Sequence, residues 1–424
     1  MLRSLLVAGV IFALLPFAFF QPWIGILLWT WISYMNPHRL TYGFAYDFPF
    51  ALIISAITLA GILTTKERRR IPQTAETALL ALLWLTFFLS TFLSAFYPEA
   101  AWAQLNKVSK ILLMTFVTAM MINSKERLFA LFSVVAFSLG FFGFKGGIWS
   151  ILSGGGAADS QVLGPPGTFL GGNTEIGLAL NMNLPILLYL RRHVKRRWLR
   201  LLMLGTFFLS IAAIIATYSR GALLGLLAVI GFLALMGRAR AWGIALLVIG
   251  IPLVLTVAPD RWIGRMRTIQ TYEQDESAMS RIHMWILSER IAADRPFLGG
   301  GFRCMTEEVT LRYYPESPDR GFDAHNIFFQ ILAEHGFTGL VLYAALVIAT
   351  FGTLARIQRR TRGSPDLAWM NDFAQMIQAS LVAYVVSGFF LSLCYFDLYF
   401  LLVATTAAMS VLLDAELSRK RVAA

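Results

Sequence analysis

Four basic side chains give this sequence its first chemical reading: Lys145 in GFKGG, Arg220 in TYSRGALLG, Arg281 in MSRIHMW and His325 in DAHNIFFQ. A guanidinium is a planar, permanently charged fork that grips phosphate oxygens in pairs. Two Arg and a Lys at one membrane face therefore suit a lipid-linked phosphate or pyrophosphate. A His titrates near neutrality and suits general-base work. Asn173 and Tyr218, in neighbouring turns, could add hydrogen bonds. Gln330 and Glu334 stand one helical turn apart below His325 and could orient it or each other. Each residue also has a structural role open to it. Lys145 can snorkel to an interface, Arg220 can anchor a helix end, and Arg281 can ride on an amphipathic surface. His325 can cap the following helix, for which Asp323 is the better candidate. His283 and His335 read as structural, His38 and His193 as loop residues.

The elements that must position these groups are membrane helices. The chain is 57% hydrophobic and 14% charged, against about 25% charged residues in soluble domains, which makes it an all-α polytopic membrane protein. Apolar runs of about 20 residues mark spans. They fall near 49–65, 77–97, 101–122, 128–151, 174–190, 199–217, 221–236, 243–257, 327–355, 372–395 and 398–414. Residues 3–35, broken at Pro16 and Pro22, read as one helix plus a short half-helix. They lack a small-residue signal cleavage site and lead on into further spans. The total is about 12 crossings.

Charge placement orients them. Lys66 and Arg68 to Arg70, Lys125 and Arg127, Arg191 to Arg197, Arg238 and Arg240, Arg356 to Arg362, and Arg419 to Arg421 cluster in short loops on alternate sides of the spans. That is the positive-inside pattern, which puts both termini in the cytoplasm. The net charge of +12 thus reports topology and points to no nucleic-acid partner.

The one long polar stretch, 259–326, falls on the opposite side, the periplasm of a bacterium. Residues 260–323 hold nine Arg and eleven Asp or Glu, so this stretch is no broad basic docking surface. The chain divides into a bundle at 1–257, the loop at 258–326 and further helices at 327–424, as one integrated domain. Within the loop, Ser277 or Ser280 can cap a helix to about residue 293, with Ile282, Trp285, Ile286 and Ile291 as apolar contacts. Pro296 and the glycines at 299–301 end it, a second short helix is expected over 305–313, and a turn over 319–321. The loop at 153–175 is rich in Gly and Pro, suited to close approach to a ligand.

Absences narrow the chemistry. Cys304 and Cys394 are too few for a disulfide scaffold or a cysteine metal cluster; both fall on the side opposite the basic loops, which leaves a disulfide open, with two unpaired thiols as the first reading. No Asp-x-Asp or His-x-x-x-His pair lies on the outer side, so no metal is expected. No glycine-rich loop ends in Gly-Lys-Ser/Thr, so nucleotide hydrolysis is unsupported.

Assembled in order, GFKGGIWSILSGG, GPPGTFLGGNTEIGLALNMNLPILLYL, YSRGALLG, SRIHMW with RPFLGGGF, and DAHNIFFQILAEHGFTGL resemble the O-antigen ligase superfamily of bacterial inner-membrane proteins. The O-antigen ligase and O-glycosylation ligase members are most similar. The chain departs from that pattern at Gly172, where an acidic residue would precede Asn173. The resemblance implies a C-type glycosyltransferase fold and transfer of a glycan from undecaprenyl pyrophosphate to a periplasmic acceptor. It implies inversion at the anomeric carbon and neither metal nor cofactor. Arg220 and Arg281 would bind the pyrophosphate, Lys145 would add a phosphate contact, and His325 would activate the acceptor hydroxyl. Lipid A-core is the expected acceptor, since no extra domain for gripping a protein is evident, and the chain is expected to act as a monomer among membrane lipids. A glycan polymerase and a protein O-oligosaccharyltransferase would share the same donor. A transporter is the reading from another class; it would want a polar relay at mid-membrane, whereas the polar groups here collect at one face.

Overall fold

The computed structural model describes residues 1–65, 70–155, 160–235, 240–245, 248 and 276–423. Most of the expected span at 243–257, the 259–275 part of the polar stretch, and Lys66, Arg68, Arg69 and Arg238 lie outside the described residues. All regular structure among the described residues is helical: α1 (Leu2–Phe20), α2 (Pro22–Met35), α3 (Phe50–Thr64), α4 (Ala75–Leu93), α5 (Pro98–Met121), α6 (Lys125–Leu152), α7 (Asn173–His193), α8 (Arg197–Ile215), α9 (Arg220–Leu235), α10 (Arg240–Ala245), α11 (Glu276–Asp294), α12 (Glu307–Tyr313), α13 (Ile327–Thr361), α14 (Ala368–Gly388) and α15 (Asp397–Ala423). Six of these, α1, α4, α6, α8, α13 and α15, are long and apolar enough to cross a membrane, with α3 and α9 shorter but apolar.

The N-terminal region breaks once, not twice. Pro16 lies inside α1, and the break falls at Gln21. Pro22 then opens α2, at a position where its missing N–H would have had no helical partner anyway. The bundle is built around α7, in which every residue from Ile176 to Leu190 is buried against α6, α8, α9 and α14. Small residues allow the close approach: a Cβ on Gly177 would meet the Ala222 Cβ at 2.5 Å, and one on Gly143 would run into Ser210.

The helix that follows the polar loop is broken too. Gly336, at φ 65° and ψ −167°, divides α13 into a short arm and a long one. The break frees backbone groups, and the glycine-rich loop uses them. Gly300 N–H donates to Ala333 O at 2.8 Å, Gly301 N–H to Glu334 O at 2.9 Å, and Phe337 N–H to Pro296 O at 2.7 Å. This explains two of the glycines: a Cβ on Gly299 would meet Ala333 O, and one on Gly336 would meet Pro296 O, each at 2.5 Å.

Three local expectations change. Helix α11 is already formed at Glu276, so Ser277 and Ser280 lie within the helix. Its buried face is Met284, Leu287 and Ile291, while Trp285 stacks on Phe329 at 5.1 Å and donates from Nε1 to Ala324 O at 2.9 Å. Helix α13 is capped by neither Asp323 nor His325 but by Asn326, whose Oδ1 accepts from the Phe328 and Phe329 N–H groups at 2.8 and 3.3 Å. The short helix expected at 305–313 spans Glu307–Tyr313 under a Thr306 cap. Both cysteines are buried free thiols.

Candidate functional site

A cavity of about 1060 Å³ opens at the end of the bundle where the polar loop joins it. Helix α5 supplies Gln104 and Lys107, the α6–α7 connection supplies Thr168 and Phe169, and the first turn of α7 supplies Glu175. The glycine-rich loop supplies Arg303, the approach to α13 Asp323, the short arm of α13 Gln330 and Glu334, and the α14–α15 connection Ser392 and Tyr395.

Its cations are Lys107 and Arg303. The Lys107 Nζ sits 3.7 Å from the centroid of the Phe169 ring, a cation–π contact that steadies the ammonium while leaving it open to the cavity. The charges of Arg303 and of buried Asp397, at the start of α15, both act on Lys107. Arg303 holds a left-handed backbone at φ 54°.

His325 is not itself among the cavity residues; it follows Asp323 by two residues and bonds to Ser392, both of which line the wall. It too is left-handed, at φ 46°; His tolerates that region better than most residues. Its N–H donates to Ser392 Oγ at 2.7 Å. Burial holds the imidazole pKa below its ordinary value of 6.5; the Arg281 guanidinium pushes the same way and Asp323 opposes. The structure thus brings His325, Arg281 and Asp323 within electrostatic reach of one another, and the downward shift favours the neutral imidazole, the form a base needs.

Arg220 does not line the cavity, but its two chain neighbours pack against residues close in sequence to its wall. Ser219 Oγ lies 3.1 Å from Thr174 Oγ1, next to Glu175. A Cβ on Gly221 would meet Phe390 Cβ at 2.7 Å, two residues from Ser392. Asn173 and Tyr218 fasten turns. Asn173 Nδ2 donates to Thr217 O at 2.9 Å and Gln161 Oε1 at 3.3 Å, and the buried Tyr218 hydroxyl donates to Gly155 O at 2.8 Å. Lys145 is exposed on α6 and is not among the cavity residues.

Glu334 does line the cavity, yet its bonds run to other partners than His325. Oε1 accepts from the Arg303 N–H at 3.0 Å, and Oε2 accepts from the Tyr395 hydroxyl. Behind it, Tyr395 Oη lies 2.7 Å from His335 Nε2, and His335 Nδ1 lies 2.7 Å from Ser90 Oγ. His335 is fully buried, in keeping with a structural role.

Sequence reasoning missed Lys107 and Arg303. For Lys107 a signal existed: an ionisable residue within an expected span is a functional candidate, the same rule that singled out Lys145, although Lys110 in the same span shares it. Arg303 carried none, being one of nine Arg in a stretch of mixed charge.

With this geometry in place, two family models match the chain. One, described as O-antigen ligase, covers residues 205–344; the other, a family of unknown function (DUF5935), covers residues 2–195. No curated protein matches. The first match supports the resemblance to the O-antigen ligase superfamily, and its segment contains Arg220, Arg281, Arg303, His325 and Glu334.

Proposed function

We propose that the chain is an O-antigen ligase: a membrane glycosyltransferase that moves a polysaccharide from undecaprenyl pyrophosphate to a sugar hydroxyl of lipid A-core, on the periplasmic face of the bacterial inner membrane. The observation that carries this reading is the cavity at one end of an apolar bundle, with Lys107 and Arg303 on its wall and His325 bonded to the wall residue Ser392, next to the segment matched by the O-antigen ligase model and partly inside it. Both termini are read as cytoplasmic, and the monomer is read as sufficient, with no metal or cofactor.

The acceptor oxygen attacks the anomeric carbon, its proton passes to neutral His325, and the bond from that carbon to the pyrophosphate breaks. The electron pair leaves with undecaprenyl pyrophosphate, and a single displacement inverts the centre. Charge grows on the leaving group, where Lys107, Arg303, Arg281 and Arg220 stabilise it with little reorganisation. Lys145, exposed on α6, serves at most at the entry of the lipid headgroup. Because the donor carries its own leaving group, no nucleotide is consumed. Holding both substrates at the membrane surface supplies proximity.

The test incubates purified protein with undecaprenyl-pyrophosphate glycan and, in separate arms, lipid A-core, free glycan repeats and a Ser/Thr-containing protein. Release of undecaprenyl pyrophosphate only with lipid A-core is the expected outcome. Release with glycan or protein alone replaces ligase by polymerase or protein oligosaccharyltransferase, and no conjugate in any arm removes glycosyl transfer.

A further inference from the structure

We infer that Glu334 is a positioning residue: bonded to the Arg303 N–H and the Tyr395 hydroxyl, its carboxylate clamps the glycine-rich loop to the break in α13 and presents Arg303 to the cavity. The clamp stands on geometry alone; its consequence for the reaction rests on reading the cavity as the donor site.

The carboxylate is 5% exposed, and an ionisable group is seldom kept in such a place without a task. Its two oxygens face opposite partners. One takes the N–H of a non-glycine residue in left-handed conformation, Arg303 at φ 54°, a state that persists only where the surroundings over-determine it. The other takes the Tyr395 hydroxyl. Tyr395 is held in turn by His335 and Ser90 at 2.7 Å each along the chain of bonds. The His335 ring is packed between Phe87, at 4.4 Å, and Phe302, at 4.6 Å. The carboxylate therefore cannot swing away from Arg303 without breaking a buried network.

Backbone bonds already fix the start of the loop. Gly300 and Gly301 donate to Ala333 and Glu334 carbonyls, and Phe96 N–H donates to Gly300 O at 2.8 Å. Two residues later, at Arg303, the Glu334 side chain takes over that task. Its neighbour Cys304 is fully buried beneath the loop and gives a direct probe of the clamp.

The experiment uses the full-length protein in lipid nanodiscs with Glu334→Ala, Glu334→Gln, Arg303→Ala and the E334A/R303A double variant. Two quantities are read: the alkylation rate of Cys304, located by mass spectrometry, and kcat and KM for undecaprenyl-pyrophosphate glycan. E334A should raise Cys304 labelling and raise donor KM about tenfold, the scale of a lost bond to a charged group, with kcat changed far less. R303A should raise KM similarly, and the double variant should be no worse than either single one. E334Q keeps an amide oxygen for the Arg303 N–H, so labelling should stay as in the wild type and KM within about threefold. Unchanged labelling in E334A overturns the clamp, as do effects that multiply in the double variant. An E334Q whose kcat collapses overturns positioning in favour of proton transfer by Glu334. Labelling that rises while donor KM stays put keeps the clamp and removes the donor site. Should E334A not fold, Tyr395→Phe keeps the ring, removes the second leg and should shift both readouts the same way by less; unchanged labelling there overturns the clamp equally.

Discussion

The two ends of α13 use the same residue types under opposite conditions. At its far end Arg360 pairs with Asp414 at 2.6 Å, with side chains 39% and 59% exposed, and beyond it Lys420 pairs with Asp366 at 2.9 Å. At the near end, Glu334 is buried and divides its oxygens between a backbone N–H and a tyrosine hydroxyl. Exposed pairs contribute about 0–1 kcal/mol each. A buried carboxylate costs several kcal/mol before its hydrogen bonds offset that. Ionisable groups at the far end are therefore cheap and need no special purpose beyond orienting the chain, whereas an ionisable group at the near end persists against a cost. The net charge of +12 says little about chemistry; which charges are enclosed says much more.

The sharpest way to break that contrast is to remove the base. His325→Ala should lower kcat by about 10²–10⁴-fold while leaving donor affinity close to that of the wild type, read by initial rates and by binding of undecaprenyl-pyrophosphate glycan. Full activity would end the base assignment. Next in size come the cations at the same end. Lys107→Ala, Arg220→Ala and Arg281→Ala should each lower kcat/KM by roughly 10–100-fold, the range for one hydrogen bond to a charged group. Normal transfer in all three would remove the pyrophosphate site. Lys145→Ala, exposed and away from the cavity, should fall well short of them.

How much of this the sequence disclosed follows from the physics of each signal. The helices were legible because apolar runs and basic loops are local patterns, and the short helix expected over 305–313 forms over Glu307–Tyr313. His325 and Arg281 drew attention because the topology puts both on the outer side, His325 before a span and Arg281 in the first loop helix, and the structure sets them within electrostatic reach of each other. The break at Gly336 was not, because a lone glycine in an apolar run looks tolerable until the loop that fills the gap is seen. The cap of α13 was missed because Asp323, Asn326 and His325 all suit the role by type, and only the path of the chain selects Asn326. Lys107 was overlooked for lack of a motif around it, and its meaning comes from Phe169, more than sixty residues on, and Arg303, almost two hundred on.

A smaller effect tests the electrostatics around His325. The base works only when neutral, so activity should fall as pH drops through the pKa of His325, and that pKa lies below the ordinary 6.5. The acid limb of kcat/KM should therefore have its midpoint below 6.5. Arg281 pushes the pKa down, so Arg281→Gln should move the limb to higher pH, whatever it does to the height of the profile. Asp323 pushes it up, so Asp323→Asn should move the limb to lower pH. A pH series on the three proteins reads both signs, and shifts in the same direction would separate the limb from His325.

The least change is expected from the far end of α13. In Arg360→Gln the pair with Asp414 is lost, but both partners were largely hydrated, and at about 0.15 M salt exposed charges are screened within about 8 Å. The loss should be about 0–1 kcal/mol in stability, smaller still at high salt, with donor KM, kcat and the acid limb all as in the wild type. Thermal unfolding in detergent at two salt concentrations measures the first, and the ligation assay the second. Were Arg360→Gln instead to lower transfer by more than a few-fold, the two ends would be mechanically coupled along α13. The break at Gly336 would then transmit strain, and the near end could no longer be treated as a site whose charges act on their own.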